Sequence, residues 1–371
     1  MAGGFWLNRG HRAYALGAVI AGRWLLIVAQ GYPPRVTKLR HGDPASPGIR
    51  RRRRGRGFSY TAPSGERLTD AAPLARIEDL VIPQAWRDVW ISPEPGGHIQ
   101  AVGTDAAGRR QYLYHPQWRK ERDEEKHDRV LAMAKRLPEW RACVDEDLAT
   151  RGLGRRRVLG AALRLLDRGI FRTGGEEYAE ENGTHGVATL LREHVCVRRD
   201  SCVFEYPAKG GLARTVSIED PDLAKVIRAL LRSRTGSDRL LVCRTRAGPH
   251  EIHAADVNDR FKELAGDDCT AKDLRTWNAT VLAATAFASA EPPRSERGRK
   301  RAEAAVMREV SEALGNTPAV CRSSYVNPRL VTAYRSRRTI AAAARRAAKL
   351  DGDEARAVLE RATVRLLGNH G

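Results

Sequence analysis

Acidic residues are scarce beside basic ones: 45 Asp+Glu stand against 65 Lys+Arg, giving a formal charge of +20 and a sequence pI near 10.3. That imbalance points to a polyanion as partner, nucleic acid or an anionic membrane, because Lys and Arg that neutralise phosphates release counterions. Paired cysteines are lacking. Cys143, Cys196, Cys202, Cys243, Cys269 and Cys321 are spread thinly with no C-x-x-C spacing, which argues against a zinc site and fits reduced thiols in a cytoplasm. The segment His250-Glu251-Ile252-His253 lacks the spacing that puts two ligands on one helical face, and reads as a loop leading into a helix. No G-x-x-x-x-G-K-[ST] occurs, which speaks against a P-loop nucleotidase. Acidic residues spaced for a two-metal site are missing too, which weakens the metal-dependent nuclease and polymerase classes. Phosphodiester chemistry, if present, would run on cationic side chains and a protein nucleophile. Long apolar runs are also absent. Residues 13–30 are interrupted by Arg23, neither half reaches the ~20 residues of a membrane span, and no clean signal peptide is offered. Residues 1–34 therefore read as a disordered extension, with a weak membrane anchor as the minor alternative.

What is present suffices for ordinary cores. Hydrophobic residues make up 42% of the 371, and the length suggests about two domains at roughly 100–200 residues each. Five consecutive arginines, Arg50 to Arg54, read as a solvated charged strand or loop. Short alternating segments follow at 58–60, 89–91, 98–102 and 111–114, separated by Gly-rich breaks, with a helix near 74–80. This predicts a small antiparallel sheet over residues 35–118. From 119 the texture turns helical, with patterns at 158–166, 221–232, 255–264, 274–287 and 301–314. A hairpin near 195–218 interrupts them. The predicted class is α+β, with a β-rich lobe at 35–118, a mainly helical lobe at 119–345 and a helical tail at 346–371.

Four blocks carry chemistry. Arg172 lies at a Gly-rich turn, Phe171-Arg172-Thr173-Gly174-Gly175, where its planar fork can meet a phosphate. Lys209 sits at a hairpin tip, Pro207-Ala208-Lys209-Gly210-Gly211. Lys272 and Arg275 lie in Thr270-Ala271-Lys272-Asp273-Leu274-Arg275-Thr276-Trp277. Asn316 and Tyr325 close the series in Leu314-Gly315-Asn316-Thr317 and Cys321-Arg322-Ser323-Ser324-Tyr325-Val326-Asn327-Pro328. Taken singly, Arg172 fits a surface salt bridge and Lys209 a solvated turn. Together, in this order, the four blocks resemble type IB DNA topoisomerases of the compact poxvirus and bacterial kind. Gly97-His98-Ile99-Gln100 and Gly108-Arg109-Arg110-Gln111-Tyr112-Leu113-Tyr114 resemble that family's DNA-contacting sheet. The likeness runs from about residue 36 to 334.

The resemblance implies Tyr325 as nucleophile, Arg172 and Arg275 as catalytic arginines, Lys209 as general acid and Lys272 as an aid to the leaving group. Asn316 stands where the poxvirus-type pattern has His, so it can donate a hydrogen bond but carries no charge. Tyr334 lies outside the motif and reads as structural. His98, Gln100, Arg109, Arg110, Gln111, Tyr112 and Tyr114 are implied DNA contacts. A phenol with a reference pKa near ~10 attacks poorly unless cations stabilise the phenolate and the phosphorane. The arginines would supply that charge, and no cofactor or metal is expected. The implied fold is a C-shaped clamp on double-stranded DNA. The implied enzyme is a monomer without an obligatory protein partner, in the cytoplasm with the nucleoid. A tyrosine recombinase or integrase is the alternative enzyme class, disfavoured because Lys272 stands where recombinases usually have His and the first lobe is β-rich. A non-catalytic DNA-binding protein on the same scaffold would require loss of Tyr325 or an arginine.

Overall fold

The computed structural model describes residues 39–290, 293 and 295–368, and the expected 1–34 extension lies outside them. Contacts divide the chain into two units, one ending at Lys120 and one beginning at Glu121.

In the first unit, β1 (Ile49–Arg54), β2 (Gly57–Thr61), β3 (Arg87–Ile91), β4 (Ile99–Thr104) and β5 (Arg110–Tyr114) form one antiparallel sheet of order β2-β1-β3-β4-β5, with helix α1 (Ala71–Asp79) beside it. Alternation sorts its residues by face. Ile49, Val89, Ile91 and Ala101 bury one face with Ile77 of α1. Arg50 pairs with Trp90, Trp90 with Val102 and Val102 with Tyr112, so these four share the opposite face. The arginine run is thus a strand, and one of its members is not solvated. Arg51 is 9% exposed. Its guanidinium stands 4.2 Å from the Phe58 ring centroid and donates to the carbonyls of Ile82, Pro83 and Trp86. An arginine can bury its stem where carbonyls take its N–H groups.

The second unit opens with α2 (Pro116–Ala149), which begins just before the division. Next come α3 (Arg155–Gly169), α4 (Glu176–Asn182), and the strands β6 (Val195–Arg198), β7 (Ser201–Ala208) and β8 (Leu212–Glu219). These strands form an antiparallel sheet, followed by α5 (Pro221–Arg232) and a β9 (Val242–Thr245)–β10 (Gly248–Glu251) ribbon. His250 and Glu251 belong to β10, so the expected loop there is half strand, and His253 caps α6 (Ala254–Ala265). Then come α7 (Ala271–Ser289), α8 (Glu296–Leu314), α9 (Pro318–Val320), α10 (Pro328–Arg335), α11 (Ala341–Ala347) and α12 (Gly352–Gly368). A single core gathers α3, α7, the sheet and Leu367 of α12. The last helix is therefore packed into this unit: Arg356 donates to Asp167 and Asn278, and Glu360 accepts from Arg141. Among the described residues no helix is long and apolar enough to cross a membrane.

Candidate active site

Two helix ends build the site. α3 stops at Gly169, and Ile170 follows in the left-handed region at φ +53°. A β-branched residue there is strained by roughly 1–2 kcal/mol, a cost that folds tend to carry at working sites. α8 stops at Leu314, with Gly315 in the same region at φ +59°. Each end leaves carbonyls without helical partners and a partial negative charge.

Three guanidiniums take those carbonyls. Arg275, 3% exposed, bridges the ends by donating to Ile170 O and Leu314 O. Arg214 of β8 donates to Gly169 O at 3.1 Å, Ala313 O at 3.0 Å and Leu314 O at 3.2 Å. Arg172 donates to Gly315 O at 3.2 Å and Asn316 Oδ1 at 2.6 Å. Every one of these acceptors is uncharged, so the cradle keeps its positive charge while its geometry is fixed. Burial, then repulsion from Arg172 and Arg214, pushes the Arg275 pKa down to about 10, and Tyr325 beside it works the other way. Arg275 thus stays a cation at neutral pH, held near like charges in a poorly solvated place. Such a site gains most when an anion enters.

The backbone around Arg172 is fixed by two glycines. A Cβ on Gly174, whose φ is +85°, would lie 2.8 Å from Gly186 Cα, and one on Gly186 would lie 2.5 Å from Gly174 N. That close crossing lets Val187 and Ala188 N–H groups donate to the Arg172 and Thr173 carbonyls, both at 2.8 Å.

Tyr325 ends a π-helical turn, Cys321–Tyr325. Its ring centroid lies 5.5 Å from Arg275 Cζ. Asn316, having given Oδ1 to Arg172, has a shielded Nδ2 with no hydrogen-bond partner among the described residues. The sequence blocks of Arg172, Arg275, Asn316 and Tyr325 thus converge. Lys209 stands exposed at the β7–β8 tip, where Gly210 and Gly211 take φ +84° and +72°. Lys272 is exposed on the first turn of α7. Tyr334 is buried and stacked on Phe287 at 4.4 Å, as befits a structural residue.

Arg214 was missed by sequence reasoning. A signal existed: it alternates with Val216 and Ile218 on the inward side of β8, while Thr215, Ser217 and Glu219 face outward. A charge at an inward position asks for partners.

In the first unit, Tyr112 and Tyr114 are 39% and 40% exposed and stack at 5.9 Å. Arg110 Cζ lies 5.6 Å from the Tyr112 centroid. This aromatic and basic edge can meet sugars, bases and phosphates. Arg109 and Gln111 both hydrogen-bond Asp105, which ties them to the β4–β5 turn. Two further expected contacts, Gln100 and His98, have partners within the lobe. Gln100 is 3% exposed, donates to Pro95 O and Gly97 O, and accepts from Arg76, so it braces the lobe from inside. His98 accepts from Gly42 N–H at 3.0 Å and packs between His41 and Trp118, which fastens the segment leading into β1.

Residues 115–350 match the family described as eukaryotic DNA topoisomerase I, catalytic core, which is more than half the chain. The chain belongs to the type IB DNA topoisomerases. Residues 57–105 match the bacterial DNA topoisomerase IB N-terminal domain. DNA topoisomerase 1B of Acanthamoeba polyphaga mimivirus is 28% identical over 287 residues, covering 75% of this chain and 85% of the viral one. DNA topoisomerase 1B of vaccinia virus (strain Copenhagen) and DNA topoisomerase I of monkeypox virus are each 23% identical over 274 residues, covering 71% of this chain and 80% of theirs. This topoisomerase is therefore a DNA-binding isomerase. Helix α12 lies beyond the matched region yet belongs to the topoisomerase core.

Proposed function

We propose that this topoisomerase relaxes supercoiled DNA by cutting one strand through Tyr325 and resealing it. The Tyr325 hydroxyl loses its proton to solvent as its oxygen attacks the phosphorus; a P–O(Tyr) bond forms, the P–O5′ bond breaks, and a 3′-phosphotyrosyl link results. Arg172 and Arg275 hold the non-bridging oxygens as charge builds on the phosphorane, and the Asn316 amide adds a neutral donor. The leaving O5′ needs a proton, which Lys209 delivers from its hairpin, aided by Lys272. Arg214 keeps the helix ends together beneath Arg275. Religation reverses these steps. One phosphodiester is exchanged for another, so the sequence is near-balanced and needs no ATP. Between cleavage and religation the free 5′ end rotates. One strand is cut at a time, so a monomer suffices, acting on cytoplasmic, nucleoid DNA. Tyr112, Tyr114, Arg109, Arg110 and Gln111 contribute DNA contacts from the first unit.

The observation that carries this reading is the trio of guanidiniums held, among the described residues, by neutral oxygens, with the Tyr325 ring over one of them. The test is Tyr325→Phe, which deletes the attacking oxygen and leaves the basic surface. Denaturant-trapped covalent complexes should vanish while DNA affinity stays near wild type. Persistent complexes would assign the attack to another residue.

A further inference from the structure

The turn that carries Tyr325 is poorly self-supporting. α9 has three residues and the π turn five. The turn closes with Val326 N–H donating to Cys321 O at 2.9 Å, a wide ring of the kind that recurs at functional sites. Its position is set from outside. Thr280 Oγ1 of α7 donates to Tyr325 O at 3.3 Å, and Lys126 Nζ of α2 donates to Ser324 O at 3.3 Å. The third tie is ionic. Arg322, three residues before Tyr325, donates Nη2 to Glu303 Oε2 at 2.7 Å. The Glu303 side chain is only 2% exposed and also accepts from Arg335, Nε to Oε1 at 2.7 Å and Nη2 to Oε2 at 2.9 Å.

A buried carboxylate costs several kcal/mol unless it is paired. Burial pushes the Glu303 carboxyl up, and the Arg335 and Arg322 hydrogen bonds overcome that and hold it below its ordinary value. A fold needing only to join α8 to α10 could use the Arg335 pair alone. The second arginine comes from the nucleophile's own turn. Glu303 also lies on the helix whose last carbonyls hold Arg275 and Arg214, 11 residues or about 16 Å from Leu314 at 1.5 Å per residue. One rigid helix thus carries both the cradle's acceptors and the anchor of the attacking turn.

We propose that Glu303, acting through Arg322, is a positioning residue that sets Tyr325 against the arginine cradle before DNA arrives. This rests on Tyr325 being the nucleophile. Loss of Arg322 leaves Glu303 paired with Arg335, so the core keeps no orphan charge and folding survives. A displacement near 1 Å at a reacting group can cost about a hundredfold, so the defect belongs in the rate of attack.

The experiment compares single-turnover cleavage at saturating duplex, DNA affinity and melting temperature for wild type, Arg322→Ala, Arg322→Lys, Glu303→Gln and the double variant Glu303→Gln/Arg322→Ala. Arg260→Ala, which loosens the remote Asp147 pair, controls for mere loss of stability. Arg322→Ala should slow cleavage by about tenfold to a hundredfold with affinity unchanged. Arg322→Lys should recover much of it, and the double variant should be no slower than the worse single one. Arg260→Ala should melt lower and cleave at the normal rate.

Wild-type cleavage by Arg322→Ala would overturn the proposal. So would a loss confined to affinity, multiplicative effects in the double variant, or an equal slowing in Arg260→Ala. Tyr325→Phe, run alongside, separates the two claims: covalent complexes persisting there would defeat the nucleophile assignment itself.

Discussion

At the scale of residues, the strongest difference in the cradle lies between charge and neutral polarity. Arg275 offers a buried cation, whereas Asn316 offers a neutral amide Nδ2 with no hydrogen-bond partner among the described residues. A transition-state donor is typically worth ~2.7–4 kcal/mol, and charge-assisted bonds are roughly twice as strong as neutral ones. Asn316→Ala should therefore slow cleavage by about two to three orders of magnitude, at roughly 1.36 kcal/mol per tenfold. Arg275→Ala should cost more, and Asn316→His should stay active. Single-turnover rates on one suicide substrate rank them, and equal damage from Asn316→Ala and Arg275→Ala would contradict the neutral-donor role. The four convergent residues were legible because their blocks carry distinctive neighbours in a fixed order. Arg214, Gln100 and Glu303 were not, because their roles come from burial and from partners roughly 25 to 100 residues away. An isolated arginine, glutamine or glutamate in a sequence carries no mark of that.

At the scale of elements, α2 holds a pH-sensitive site. His127 is 4% exposed, its Nδ1 lacks a hydrogen-bond partner among the described residues, and burial followed by the Lys126 charge pushes its pKa down to about 4. Below an unfolded value near ~6.5 the unfolded chain takes a proton that the folded one refuses. The stabilisation is thus complete above ~6.5 and drains as pH falls toward 4, by an amount of order 3 kcal/mol. Urea midpoints between pH 7 and 4.5 should fall more steeply for wild type than for His127→Gln, and parallel slopes would refute the assignment. α12 gives a second test. Arg356→Met leaves Asp167 with Arg141, so the loss should stay below the roughly 3–5 kcal/mol of a fully orphaned buried charge. Thermal melts decide it. Periodicity made the helices and the sheet legible, since apolar spacing is local. The π turn was not, because its five residues acquire that shape from ties to α2, α7 and α8.

At the scale of the whole molecule, the charge of +20 is a net cationic excess. Asp147, Asp167, Asp220, Asp273 and Glu303 are buried in ion pairs with arginines that cancel their charge, so the excess belongs to other basic residues. Arg50, Arg52, Arg54 and Arg110 are exposed on the sheet of the first unit. Each phosphate neutralised contributes about 0.9 to the slope of log affinity against log salt. Arg52→Ala and Arg110→Ala should each lower that slope by up to about 1 without changing cleavage at saturating DNA. Titrations across salt concentrations read this directly, and unchanged slopes would remove both residues from the interface. The proposed strand exchange runs on an arginine cradle and a tyrosine alone. Relaxation of negatively and positively supercoiled plasmid, with EDTA present and ATP absent, tests it most directly. The wild-type enzyme should relax both signs fully. Relaxation that appeared only with magnesium and ATP would contradict it.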